Sequence, residues 1–330
     1  MTRFLSLATL VFLLAMPAQA PAQTKWDLTN EYGFNSFIGV GNQEFADVLK
    51  ARSGGEVLVT PHFGGALGFK SKDVLDVVGR GAVPMGDAAV GFWIGIDPIF
   101  QLSLLPFLVS DTQEAFALYQ IAKPYYSRVL LKNNQYLLYS VPWPPNGIWS
   151  KKPIESASSF NGLKIRTLDP ASTNVFRALK AIPQQLAWAD VVPMLATGGI
   201  EAVLTSADGG ASAKFWDHVQ NFSAINFAWA LSMLTVNKDA FDKLSDKNKK
   251  AVRDAASEVE ARRWAALDEN VQSRYAEMRT KNVKVLPAIS AETRASMVKA
   301  SEPAVNEWLG KIGPDGKAII DSFRNRPARK

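Results

Sequence analysis

The run Phe160-Asn161-Gly162-Leu163-Lys164-Ile165-Arg166-Thr167 carries the chain's clearest chemical signal. An Asn-Gly turn leads into a very short apolar strand that ends on arginine. Open α/β sheets bind ligands beyond the carboxyl ends of their strands, and a guanidinium there offers a planar fork of donors matched to a carboxylate. Arg166 is therefore read as an anchor for an organic acid, against the plainer alternative of an interlobe salt bridge. Catalytic groups are sparse. His62 and His218 are the only imidazoles and there is no cysteine, which excludes thiol chemistry and cysteine-ligated zinc. No G-x-S-x-G, H-E-x-x-H or P-loop occurs, and Gly64-Gly65-Ala66-Leu67-Gly68 lacks the lysine and hydroxyl of a phosphate loop. A periplasmic enzyme or a ligand sensor acting on a small carboxylate remains the alternative to simple binding.

The N-terminus reads as a secretory signal peptide over 1–20: Arg3, then an apolar run from Phe4 to Met16, then Ala18-Gln19-Ala20 as the cleavage site. No later segment is apolar enough to span a bilayer, so the mature chain is expected to be exported and not itself membrane-spanning. The net charge of +6 is spread along the sequence. Its one cluster, Arg324, Arg326, Arg329 and Lys330, reads as a solvated tail, and nucleic acid is not an expected partner.

Apolar spacing and glycine stops predict alternating elements. Strands are expected at Trp26–Glu31, 56–60 and Val83–Val90, and helices over Glu44–Arg52 and from a Ser71 cap. The pattern recurs with helices at Ala171–Ala181 and Asp190–Ala196, the latter capped by Asp190, and a strand from Ile200 to Thr205. Such alternation predicts an α/β sheet architecture. Three prolines in Val141–Gly147 mark a hinge strand or crevice wall, and Phe227–Val236 a second crossing. Ser245 caps a helix expected to run to about Lys281, long enough to lie across both lobes.

These segments, in this order, resemble the extracytoplasmic solute-binding subunits of the tripartite ATP-independent periplasmic (TRAP) transporters, the DctP-like family. The resemblance rests on Phe45–Leu49 with Ser53-Gly54-Gly55, Ser103–Leu108, Ser150–Ile154 before Phe160–Arg166, and Leu195–Ala202. It implies a two-lobed periplasmic-binding-protein fold with hinge strands and a long helix spanning both lobes. The lobes are expected at 21–142, with parts of 233–330 including helix 245–281, and at 143–232. It also implies hinge closure around one ligand, no cofactor, and delivery to membrane permease subunits driven by an ion gradient. By position Arg166 is the family's carboxylate-gripping arginine, Thr205 or Ser206 supplies a polar contact, and Asn146 stands where a basic or amide contact is common. The missing second arginine favours a monocarboxylate.

Five of the nine tryptophans, Trp93, Trp143, Trp149, Trp188 and Trp229, fall on segments expected near the crevice, as does Phe92. Two or three of the five are expected to line it and to cover an apolar or aromatic ligand body. Tyr32, Phe34 and Asn35 follow the first strand and are candidates for the opposite wall. Asp208-Gly209-Gly210 reads as a turn and helix cap whose amides could face an anion.

Overall fold

The computed structural model describes residues 23–286 and 288–326 of the 330. The expected signal peptide, Arg329 and Lys330 lie outside the described residues. In chain order the first elements are β1 (Thr24–Asn30), α1 (Phe37–Arg52), β2 (Val57–His62), α2 (Ser71–Gly79), β3 (Met85–Ala89), α3 (Thr112–Lys132) and β4 (Gln135–Pro142). Then come β5 (Asn146–Ser150), β6 (Lys164–Thr167), α4 (Pro170–Ala178), β7 (Ile182–Gln185), α5 (Trp188–Ala196), β8 (Ala202–Ser206), α6 (Ala207–Ser212) and β9 (Asn221–Ser223). The chain ends with β10 (Leu231–Asn237), α7 (Lys238–Asp242), α8 (Asp246–Ala265), α9 (Leu267–Thr280), β11 (Lys284–Leu286), α10 (Ala291–Ile312) and α11 (Pro314–Arg324).

The strands form two sheets, ordered β2-β1-β3-β10-β4 and β11-β9-β5-β8-β6-β7. In the first, β1 runs parallel to β2 and β3, while β10 runs antiparallel to β3 and β4. One large core surrounds it, with Leu28, Phe45, Val57, Val78, Met85, Leu130, Tyr139 and Leu234 all buried. The second sheet is covered on both faces. Trp149 and Val203 pack into one core and their neighbours Ile148 and Leu204 into another, because successive strand side chains point to opposite faces. The molecule is thus α/β, as the alternation of elements predicts, and two-lobed, as the family resemblance implies.

The expected long helix is two helices. It breaks at Ala266, whose N–H still bonds to the Arg262 carbonyl at 2.9 Å. Val252, Val259 and Leu267 pack in the first core; Val271, Tyr275 and Met278 pack in the second. The pair spans both lobes, but α9 and β11 belong with the second sheet, which corrects the placement of 245–281 in the first lobe. A further helix, α10, also spans them, with Met297 in a second-sheet core and Trp308 in the first.

Other boundaries shift for local reasons. Helix α1 begins at Phe37 because the Ser36 hydroxyl accepts from the Gly39 N–H, a cap with no apolar period before it to announce it. Ser71 is the first residue of α2, not its cap, and Asp190 lies inside the first turn of α5. Arg326 is not a free tail residue: it pairs with Glu114 and donates to the Phe323 carbonyl at 2.6 Å.

Candidate functional site

A cavity of about 380 Å³ lies between the lobes, within the range typical of small-molecule sites. Its second-lobe wall begins at the Asn-Gly turn. Gly162 has φ +72°, a conformation that suits glycine, and the chain then enters β6 in parallel register with β7 and β8. Alternation sends Ile165 into the core and Arg166 to the other face, at the strand's carboxyl end. Asp169 stops the strand by capping α4, accepting from the Ser172 N–H at 2.7 Å.

Arg166 is 3% exposed and, among the described residues, is the only charged side chain lining the cavity. Its Nε and Nη2 both donate to the Leu186 carbonyl, at 3.2 and 3.1 Å, and Nη1 donates to the Leu204 carbonyl at 3.3 Å. Trp188 lies against it, 5.7 Å from ring centre to guanidinium carbon. Among the described residues it makes no ion pair, and burial lowers its pKa to about 10. Of five guanidinium N–H groups, three are used, leaving one on each terminal nitrogen: the pair that a carboxylate meets end-on. The sequence alternative of an interlobe salt bridge is not what this geometry shows.

Asn146 opens β5. Its N–H donates to the Ala228 carbonyl at 3.0 Å and its carbonyl accepts from Phe227 at 2.9 Å, so the backbone is pinned to the other crossing segment. The side chain is not: Oδ1 is buried without a hydrogen-bond partner. Thr205 and Ser206 end β8 and also line the cavity. The Ser206 hydroxyl accepts from the Gly209 N–H at 3.0 Å, which occupies one of the amides expected to be open in Asp208-Gly209-Gly210. Gly210 instead lies flat on Trp149, where an added Cβ would sit 2.2 Å from the indole.

The first lobe supplies Tyr32, Phe34, Asn35, Phe92 and Trp143. Tyr32 and Trp143 stack edge to face at 4.6 Å. A buried polar chain holds the loop after β1. The Tyr32 N–H donates to Asn30 Oδ1 at 2.7 Å, Asn30 Nδ2 to Asn42 Oδ1 at 2.6 Å, and Asn42 Nδ2 to Asp87 at 2.7 Å and to Tyr139 at 3.1 Å. The Ser232 hydroxyl donates to the other Asp87 oxygen. Desolvation raises the Asp87 pKa to about 6.

Trp143 and Trp188 therefore line the cavity, together with Phe92. Trp93, Trp149 and Trp229 do not. Trp93 is fully buried and donates to the Ser71 carbonyl at 3.1 Å. Trp149 donates to the Ser206 carbonyl at 3.1 Å from beneath the cavity floor, and Trp229 is buried in the first core. Each sits on a crevice-lining segment but faces its other side. Sequence reasoning did not single out Leu104, Leu168 or Ser212 as lining residues; Leu104 lies in the Ser103–Leu108 segment, but which way its side chain turns was not legible there. His62 pairs with Asp27 on the sheet surface, 2.8 Å away, and His218 is not among the lining residues.

Comparison with known proteins agrees with this architecture. A family model for bacterial extracellular solute-binding proteins, family 7 (DctP) matches residues 31–311. The chain is 25% identical to the ectoine/5-hydroxyectoine-binding periplasmic protein UehA of Ruegeria pomeroyi, over 94% of this chain and 92% of that one. It is 26% identical to the 2,3-diketo-L-gulonate-binding periplasmic protein YiaO of Escherichia coli, over 85% of each. Among solved structures, the Bordetella pertussis receptor DctP6, which binds pyroglutamic acid, superposes with a TM-score of 0.87 at 28% identity, covering 92% of this chain and 100% of that one. No helix among the described residues is long and apolar enough to cross a membrane. The chain belongs to family 7 of the bacterial extracellular solute-binding proteins, the receptors of TRAP transporters, and is a binding protein rather than an enzyme.

Proposed function

We propose that this protein captures a small organic monoanion lacking an ammonium group, closes on it by a hinge motion, and delivers it to a TRAP permease. One observation carries the reading: Arg166 is buried, without a carboxylate partner, and has two N–H groups left over. A buried cation in that condition is costly unless a ligand compensates it. With no second cation among the described residues of the cavity wall, a second ligand carboxylate would be desolvated without a partner; with no carboxylate among them, an α-ammonium would fare as badly. The unpaired amide of Asn146 supplies a donor and an acceptor for a neutral polar group on the ligand, and Trp143, Trp188 and Tyr32 provide apolar walls.

Pyroglutamate, a monocarboxylate whose nitrogen sits in a neutral lactam, has this chemistry. It is the ligand of DctP6 and DctP7 of Bordetella pertussis, 28% and 26% identical to this chain. We take residues 1–20 as the segment that directs export. The test is a thermal-shift and calorimetric screen with pyroglutamate, glutamate, succinate and ectoine. Pyroglutamate at a hundredfold excess over its Kd should stabilise the fold by about 2.7 kcal/mol, while free glutamate and succinate should give little. Tighter binding of glutamate or succinate would overturn the monoanion reading, and turnover of any of them would overturn the binding role.

A further inference from the structure

The N-terminus of α1 has no acidic residue in its own first turn. It is met instead by a carboxylate from the other lobe. Asp208, on α6, is fully buried and its Oδ2 accepts from the Phe37 N–H at 3.1 Å, a contact separated by 171 residues in sequence. Its Oδ1 accepts from Arg274 Nε at 2.8 Å. The same guanidinium reaches across the cleft with Nη2, donating to the Asn35 carbonyl at 2.8 Å, while Nη1 is steadied by Glu277 at 2.7 Å. Arg274 lies on α9, whose Val271, Tyr275 and Met278 pack in a second-lobe core, so both charged groups belong to one lobe and both of their cross-cleft partners to the other. The contact borders the cavity, because Asn35, Ser36 and Gly209 line it.

We infer that Asp208 and Arg274 form an interlobe latch that holds the closed form from the protein's side, so that ligand escape is governed here as well as at the ligand. The inference rests on the hinge closure proposed above but not on the ligand's identity. Opening the cleft breaks two hydrogen bonds and bares the positive end of α1. The Asp208–Arg274 pair stays together within the second lobe, so relatching re-forms only the two cross-cleft hydrogen bonds.

The latch is read from the dissociation rate of pyroglutamate, followed by tryptophan fluorescence after rapid dilution. Truncating one partner of a buried, hydrogen-bonded charge pair acts chiefly on koff, so Asp208→Asn and Arg274→Met should raise koff about tenfold and leave kon within about threefold. Arg274→Lys separates latching from folding. Lysine keeps the charge beside Asp208 but cannot fork to Asp208 and Asn35 together, so it should keep the melting temperature and still raise koff. Unchanged koff in all three variants overturns the latch.

If the parent does not bind pyroglutamate, the ligand proposal fails separately, and the latch is judged on the ligand-free protein. The absence of native cysteine allows a spin-label pair at Lys72→Cys and Lys164→Cys, one on each lobe. A short-distance population present in the parent and depleted in the three variants supports the latch; identical distance distributions overturn it.

Discussion

Replacing Arg166 with methionine should separate binding from folding. The folded protein carries the guanidinium at a cost: burial lowers its pKa to about 10, a displacement worth about 3 kcal/mol against the charged form. Methionine of similar length removes that cost. It also leaves the Leu186 and Leu204 carbonyls without their Arg166 donors, at about 1–3 kcal/mol each. The two effects oppose, so the ligand-free stability of Arg166→Met should lie within about 3 kcal/mol of the parent. Binding has no such offset. Loss of a desolvated charge partner costs about 2–5 kcal/mol, or roughly 30- to 5,000-fold in Kd. Urea denaturation without ligand and calorimetry with pyroglutamate read the two quantities independently. Affinity within threefold of the parent would refute the anchor assignment. A ligand-free loss above about 4 kcal/mol would show that the guanidinium is needed by the fold instead, since it exceeds the net of these two opposing effects.

Asp87 should make the protein less stable as pH rises. Its folded pKa of about 6 lies above the ordinary 3.8, so the folded state holds a proton that the unfolded chain has released. The group's contribution therefore falls by about 3 kcal/mol as pH rises from about 4 to about 6. Asp87→Asn should flatten that part of the curve, and equal pH slopes in parent and variant would contradict it. Gly210→Ala should destabilise by about 1–3 kcal/mol, because the new methyl overlaps Trp149; chemical denaturation reads it, and a neutral result would mean α6 is free to lift away from the sheet. Trp188→Ala should weaken pyroglutamate binding through lost wall area and a less fixed guanidinium, by about 1–2 kcal/mol, with an unchanged Kd as the contrary outcome.

The parts of the site that were readable in sequence are those encoded locally. Asn161-Gly162 sets a positive-φ turn, the next residues have a strand's alternation, and Asp169-Pro170 ends the strand by starting a helix; together these fix where Arg166 emerges. What escaped notice depends on contacts between distant segments or on which way a loop residue turns. Phe92 and Trp93 are adjacent, yet one is 42% exposed and the other fully buried, because a turn of 3-10 helix points them apart. The break at Ala266 has no glycine or proline to announce it, and α9 belongs to the second lobe because of packing partners far away in the chain. Asp208 reads locally as a turn residue; its cross-cleft role exists only once α1 and α9 arrive from opposite ends of the sequence.

The place of β10 has a consequence for biosynthesis. It lies between β3 and β4, yet is encoded after all of β5 to β9. Until it emerges, β3 and β4 face a vacant slot, each with an unsatisfied ladder of backbone donors and acceptors. A chain made N-terminus first cannot seal that sheet early. The interleaving thus delays knitting of the first lobe until Leu231–Asn237 has been made, and leaves its two flanking strands to wait for a partner encoded beyond the whole second-lobe segment from β5 to β9.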